Sequence, residues 1–203
     1  MSLSLTTAIW IPLGIGWNLL LAIIPCILVY ELSHWVRGRT WQKSAPSARI
    51  TFIAAFLFWF FFFPNTAYLF TLVRHLVDHC TDYNIHRVCF EEAWKVPLFL
   101  FYALMGLPTF VYSLRMMQRV FSQWFGSGRF LPFFIIPLTA LGILFGLFER
   151  FNTWDIVTHP LTLVEKTLSY LTQPWSLLDF FVYIFVLSAI YYGTLYLWKA
   201  RTK

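Results

Sequence analysis

Five stretches of the chain carry nearly continuous apolar side chains, separated by short polar segments. They run from Trp10 to Tyr30, Ile50 to Leu72, Val96 to Leu114, Phe130 to Phe148 and Trp175 to Trp198. A hydrocarbon core about 30 Å thick takes about 20 residues of helix. Backbone polar groups in lipid must bond within their own helix or around a closed barrel, and runs this long do not alternate as barrel strands do. The pattern predicts an all-α membrane protein, one polytopic domain over residues 1–203 with five transmembrane helices. MSLSLTTAIW has no basic n-region and no small-residue cleavage pattern, so the first run is expected to remain as a span rather than act as a signal peptide.

The polar segments sort by charge. Between spans one and two lie Arg37, Arg39, Lys43 and Arg49 against Glu31; between spans three and four lie Arg115, Arg119 and Arg129; the C-terminal tail holds Lys199, Arg201 and Lys203. The other two connections are mixed. One sets Asp78, Asp82, Glu91 and Glu92 against Arg74, Arg87 and Lys95, the other Glu149, Asp155, Glu165 and Asp179 against Arg150 and Lys166. The alternating Lys/Arg excess predicts an outside N-terminus and a cytoplasmic C-terminus. Between spans four and five, Leu161, Val164, Leu168 and Leu171 recur at helical spacing behind Pro160, a residue suited to a first turn. A short helix lying on the membrane surface is expected there, with Trp154 and Trp175 near the interface.

Composition changes the picture little. Of 203 residues, 59% are hydrophobic, 21% aromatic and 12% charged. The mean hydropathy is +0.67, an apolar excess that a soluble surface would not tolerate. The net charge of +6 invites a nucleic-acid partner, but the cations sit in clusters between spans. They orient the chain in a bilayer, and no nucleic acid is expected.

Candidate chemistry gathers at the outer side. Pro64 lies roughly 22 Å up a helix counted from Arg49, in its outer third, where it removes a hydrogen bond and bends the helix. Asn65 is placed to repair the kink, by bonding freed carbonyls, or to reach a neighbouring helix. Beyond it, Thr71, Arg74, His75, Asp78 and His79 fall at three- and four-residue steps. At the end of span four, GLFERFNTWDIVTHP brings Glu149, Asn152, Trp154 and Asp155 to the same depth. One outward-facing polar cluster of Asn65, Arg74, His75, Glu149, Asn152, Trp154 and Asp155, joining spans two and four, is the economical arrangement. No cofactor is predicted from the sequence. A zinc site is the alternative, using the His75 and His79 pair with a third ligand such as His159, although no HExxH or CxxC accompanies it. Cys80 and Cys89 fall in the outer CTDYNIHRVC segment, with a disulfide and two free thiols as alternatives. Cys26, inside span one, reads as a packed apolar residue.

Four stretches carry a resemblance. WNLLLAIIPCILVY, WFFFFPNTAYLFTLVRHL, GLPTFVYSL and NTWD followed by Pro160 resemble the uncharacterised bacterial and archaeal integral-membrane family known as domain of unknown function 1361. The resemblance implies a bacterial or archaeal cytoplasmic (inner) membrane, with a thylakoid-type membrane as the alternative. It implies no established activity. The family favours Thr-Asp after its Phe-Pro-Asn-x-x-Tyr stretch and Gly-Arg before its Asn-Ser-Trp-Asp motif. Here those positions read Leu72 and Gly146-Leu147, while Arg74 and Glu149 stand two residues further on. If the family pair bridges spans two and four, this chain carries the bridge one step outward with its polarity reversed.

The first functional reading is a non-enzymatic accessory or assembly component of a membrane complex, whose partners are the bilayer and other subunits. A small-solute transporter or channel needs polar groups at several depths, and only Asn18, Asn65 and a few hydroxyls enter the core. A membrane-embedded enzyme with an outward-facing polar or metal site is the third reading.

Overall fold

The computed structural model describes residues 5–71, 95–149 and 158–201, and among these all regular structure is helical. In chain order the helices are α1 (Leu5–Trp35), α2 (Pro46–Phe62), α3 (Pro64–Thr71), α4 (Lys95–Phe125) and α5 (Leu131–Leu144). A π-helical turn, Phe145–Glu149, continues α5. Then come α6 (Pro160–Thr172) and α7 (Pro174–Arg201). Four segments are long and apolar enough to cross a bilayer: Gly16–Trp35, Pro46–Thr71, Val96–Phe125 and Pro174–Arg201. Leu131–Leu147 is a shorter apolar helix.

α4 is the spine. Cys26 meets Thr109 and Trp35 meets Trp124, so α1 runs parallel to it. Phe52 stacks on Trp124, Trp59 bonds Ser113 and Phe63 stacks on Phe110, so α2 runs antiparallel. α5 returns beside α3 and α4 and carries α7 on its other side, with α6 packed on α7. Lipid tails are as apolar as these side chains, so close packing and interhelical hydrogen bonds, rather than water exclusion, hold such helices together. The centre is accordingly aromatic: Phe52, Trp59, Phe63, Phe110 and Trp124 are fully buried or nearly so. Well-placed ring pairs each contribute about 0.5–1.5 kcal/mol.

α4 departs from the sequence expectation. Arg115 and Arg119, expected in a connection after Leu114, lie on a helix of 31 residues that continues to Phe125. At 1.5 Å per residue it is about 46 Å long, well over the hydrocarbon thickness. The extension holds because Leu114, Met117, Val120 and Trp124 keep a buried stripe going beneath the cations. Arg115 Nη1–H meanwhile donates to Gln118 Oε1 at 2.9 Å, one turn along the same helix.

The two basic connections lie at one end. The Trp41 backbone N–H, between α1 and α2, donates to the Trp124 carbonyl near the end of α4 at 2.9 Å. α6 forms with Pro160 in its first turn, as its spacing predicts. Its Leu161, Val164 and Leu168 are 83%, 57% and 59% exposed, so no protein in the described residues covers that stripe.

Candidate functional site

The Phe-Pro-Asn stretch breaks one span into two helices, and its own side chains repair the break. Pro64 has no N–H, and α3 starts at it. The Thr66 N–H turns from the i−4 carbonyl to Phe63 O at 3.0 Å, which deprives Phe62 O of its usual donor. Asn65 Nδ2–H donates to Phe62 O at 3.1 Å in its place. Thr66 Oγ1–H adds a second bond to Phe63 O at 2.7 Å. The kink repaired by an amide, one of the two sequence readings of Asn65, is thus what the geometry shows.

Past the kink, α3 enters notches made by glycines on both neighbours. A Cβ added at Gly142 would come within 3.1 Å of Pro64 Cβ, and one at Gly146 within 3.1 Å of Tyr68 Cε2. Pro64 and Tyr68 are four residues apart on α3, and so are Gly142 and Gly146 on α5 and its π turn. Two knobs therefore sit in two holes along one seam. On the opposite side, a Cβ at Gly106 of α4 would lie 2.8 Å from Phe70 Cε1 and 3.0 Å from Leu69 Cβ. The Phe-Pro-Asn-x-x-Tyr stretch and the helix leading to the NTWD motif are therefore neighbours, in contact through proline, tyrosine and two glycines. Sequence reasoning singled out Pro64 and Asn65 but missed Tyr68, Gly106 and Gly142. The four-residue spacing shared by Pro64/Tyr68 and Gly142/Gly146 was the available signal.

Of the polar cluster expected here, Asn65 is half-buried with its amide nitrogen committed to Phe62 O. Glu149 closes the π turn. Arg74, His75, Asn152, Trp154 and Asp155 lie outside the described residues, as do His79, Cys80 and Cys89. His159 is exposed just before α6, its Nδ1 2.9 Å from Thr158 Oγ1. Among the described residues no group of three or more His, Cys, Asp or Glu gathers around one point. Leu147 is buried in the main core.

Deeper in the bundle, the polar side chains tie helix to helix or helix to itself. Trp59 Nε1–H donates to Ser113 Oγ at 2.8 Å, both residues fully buried. The Cys26 thiol reaches Thr109 O at 3.5 Å and Ala22 O at 3.8 Å. Tyr191 Oη–H donates to Gln118 Oε1 at 2.9 Å, fastening α7 to α4. Thr139 Oγ1–H returns to Ile135 O at 2.7 Å. The buried Trp124 Nε1–H finds no hydrogen-bond acceptor among the described residues. It sits in a box of rings formed by Trp35, Trp41 and Phe52.

Among the described residues these features define a helical protein with four helices long and apolar enough to cross a membrane, one of them broken at Pro64 and packed between glycine-notched partners. The chain belongs to the family described as Protein of unknown function (DUF1361), whose model matches residues 17–190. No curated protein and no solved structure matches the chain.

Proposed function

We propose that the chain is a five-span protein of the bacterial or archaeal cytoplasmic membrane, with its N-terminus outside. In this reading it acts without catalysis, as an accessory or assembly component of a membrane complex. Leu131–Leu144 with its π turn is the remaining span, and α6 lies along the outer surface with its Leu161, Val164 and Leu168 stripe in the lipid interface.

The observation that carries the reading is the use made of buried polar groups. Asn65, Thr66, Ser113, Thr139 and Tyr191 are spent on carbonyls of their own helix or on single ties between helices. A transport pathway needs polar groups facing a common lumen at successive depths. α7 adds support, as the least covered of the long helices, with Phe181, Phe185 and Tyr196 more than half exposed along one side. A broad aromatic face of this kind suits a neighbouring subunit.

Extraction in a mild detergent and purification by a C-terminal tag tests the proposal. A second membrane protein retained at fixed stoichiometry, and lost when Phe185 and Tyr196 are changed to alanine, is the expected result. A chain that purifies alone at its monomeric mass from every mild detergent tried overturns it.

A further inference from the structure

The end of the bundle where α1 joins α2 and α4 joins α5 has a distinctive charge. Residues 32–77 contain no Asp or Glu, and neither do residues 93–148. Within these stretches Arg37, Arg39, Lys43 and Arg129 are exposed on the two connections, with Arg49 half-buried beside them. Positive charge in connections is expected of any membrane protein, because it sets orientation. A loose loop suffices for that purpose, and this one is held rigid.

Its hold comes from several directions. Trp41 N–H is bonded to Trp124 O at 2.9 Å, which fixes the middle of the loop to α4. Arg49 Nε–H donates to Trp41 O at 3.0 Å and Nη2–H to Gln42 O at 3.4 Å, while its guanidinium lies 5.2 Å over the Trp41 ring. Ser44 Oγ–H closes a turn onto Thr40 O at 2.7 Å. Gly38 takes a φ of +72°, the left-handed turn that brings Arg39 back over Trp35. The Arg39 guanidinium carbon lies 4.5 Å from the centroid of that ring, in a residue that is exposed. One arginine is thus consumed in fixing the loop, and Arg37, Arg39 and Lys43 are exposed on it, Arg39 over Trp35.

We propose that this pinned loop, with Arg129 on the other connection at the same end of the bundle, is a binding site for the headgroup of an anionic phospholipid. Charge complementarity selects that occupant. The lipid phosphate supplies the negative charge that the protein omits over both stretches. Trp35 and Trp41, both half-buried against Trp124, are the amphipathic rings favoured at a membrane interface. A planar guanidinium beside a ring can present two parallel N–H donors to phosphate, which an ammonium cannot do. The proposal rests on the membrane embedding described under Proposed function but not on the accessory role.

Native mass spectrometry of the full chain in detergent tests it, titrating phosphatidylglycerol against phosphatidylcholine of the same acyl chains. Preferential retention of phosphatidylglycerol is expected. Changing Arg37, Arg39 and Lys43 each to glutamine should weaken that retention by about fivefold per charge removed, the scale of one basic residue at an anionic surface. Arg39→Lys keeps the charge and loses the planar stack, and it should weaken binding on its own. Lys166→Gln, on α6 away from this loop, should leave it unchanged. Equal retention of the two lipids overturns the headgroup site while leaving the membrane embedding intact. Retention that falls with net charge alone, with Arg39→Lys as good as the native chain, overturns it as well. Failure to retain either lipid overturns the headgroup site too, while release of the chain from membranes by alkaline carbonate without detergent would overturn the embedding.

Discussion

Adding one methyl group at Gly106 tests whether α3 is truly clamped. The new Cβ would meet Phe70 Cε1 at 2.8 Å and Leu69 Cβ at 3.0 Å, where carbon atoms in comfortable contact sit about 3.5–4.0 Å apart. Phe70 Cε1 is a ring edge that can swing, but the ring is set against Phe110 with centroids 6.3 Å apart. Leu69 Cβ is fixed to its backbone, so α3 must retreat from α4 by roughly 0.5 Å or more. Overpacking of this kind costs about 1–3 kcal/mol. Against it stands the helix propensity gained when glycine becomes alanine, up to about 1 kcal/mol. Gly106→Ala should therefore destabilise by about 1–2 kcal/mol net. Gly142→Ala meets the rigid Pro64 ring at 3.1 and 3.2 Å and should cost somewhat less. Gly193 of α7 has open space around it, so Gly193→Ala supplies the propensity gain without a clash and should be neutral or stabilising. Reversible unfolding in mixed micelles or a steric-trapping assay in bicelles reads all three. Equal stability of Gly106→Ala, Gly142→Ala and Gly193→Ala would refute the clamp.

Three further outcomes are expected. Trp59→Phe and Ser113→Ala should couple in a double-mutant cycle by about 0.6–1.7 kcal/mol, the range of hydrogen bonds inside membrane proteins; Trp124→Phe should show no coupling to Ser113→Ala, since its indole N–H has no such acceptor. Asn65→Ala should cost about 1 kcal/mol in the native chain but much less beside Pro64→Ala, because a restored N–H lets Thr66 return to Phe62 O and makes the amide redundant; an undiminished cost in the double variant would show that Asn65 has another task. Arg74→Glu and Glu149→Arg should each lower stability or expression and restore it together, as a relocated salt bridge requires, whereas a double variant no better than either single one removes that bridge from the description.

How far the fold was legible depended on how local each cause is. The apolar runs behind four long helices, the break at Pro64 and the start of α6 at Pro160 are written in adjacent residues, and helices form there. The end of α4 was misjudged because hydropathy stops at Arg115, while the helix follows the stripe of Leu114, Met117, Val120 and Trp124. Long basic side chains tolerate that position by reaching outward past an apolar face. The glycine notches carry only a weak signal, the four-residue spacing that Gly142/Gly146 shares with Pro64/Tyr68. Gly106 and Gly142 look like any small residue in a membrane helix, and their partners lie more than thirty positions away on α3. Asn65 was legible as chemistry but ambiguous in role, since an amide at a kink serves its own helix and a neighbour equally well.

The repair at Pro64 has a bearing on how the protein is made. Asn65 and Thr66 close the break using only carbonyls of residues 62 and 63, so the bend needs no other helix to exist. The second span can leave the translocation machinery already bent, before any later span has been synthesised. Its knobs, Pro64 and Tyr68, must then wait in lipid until their partners Gly142 and Gly146, each 78 residues further along the chain, emerge. Biogenesis thus contains an interval in which α3 is shaped but unseated, and a slow or failed arrival of α5 leaves that half-helix exposed to membrane quality control.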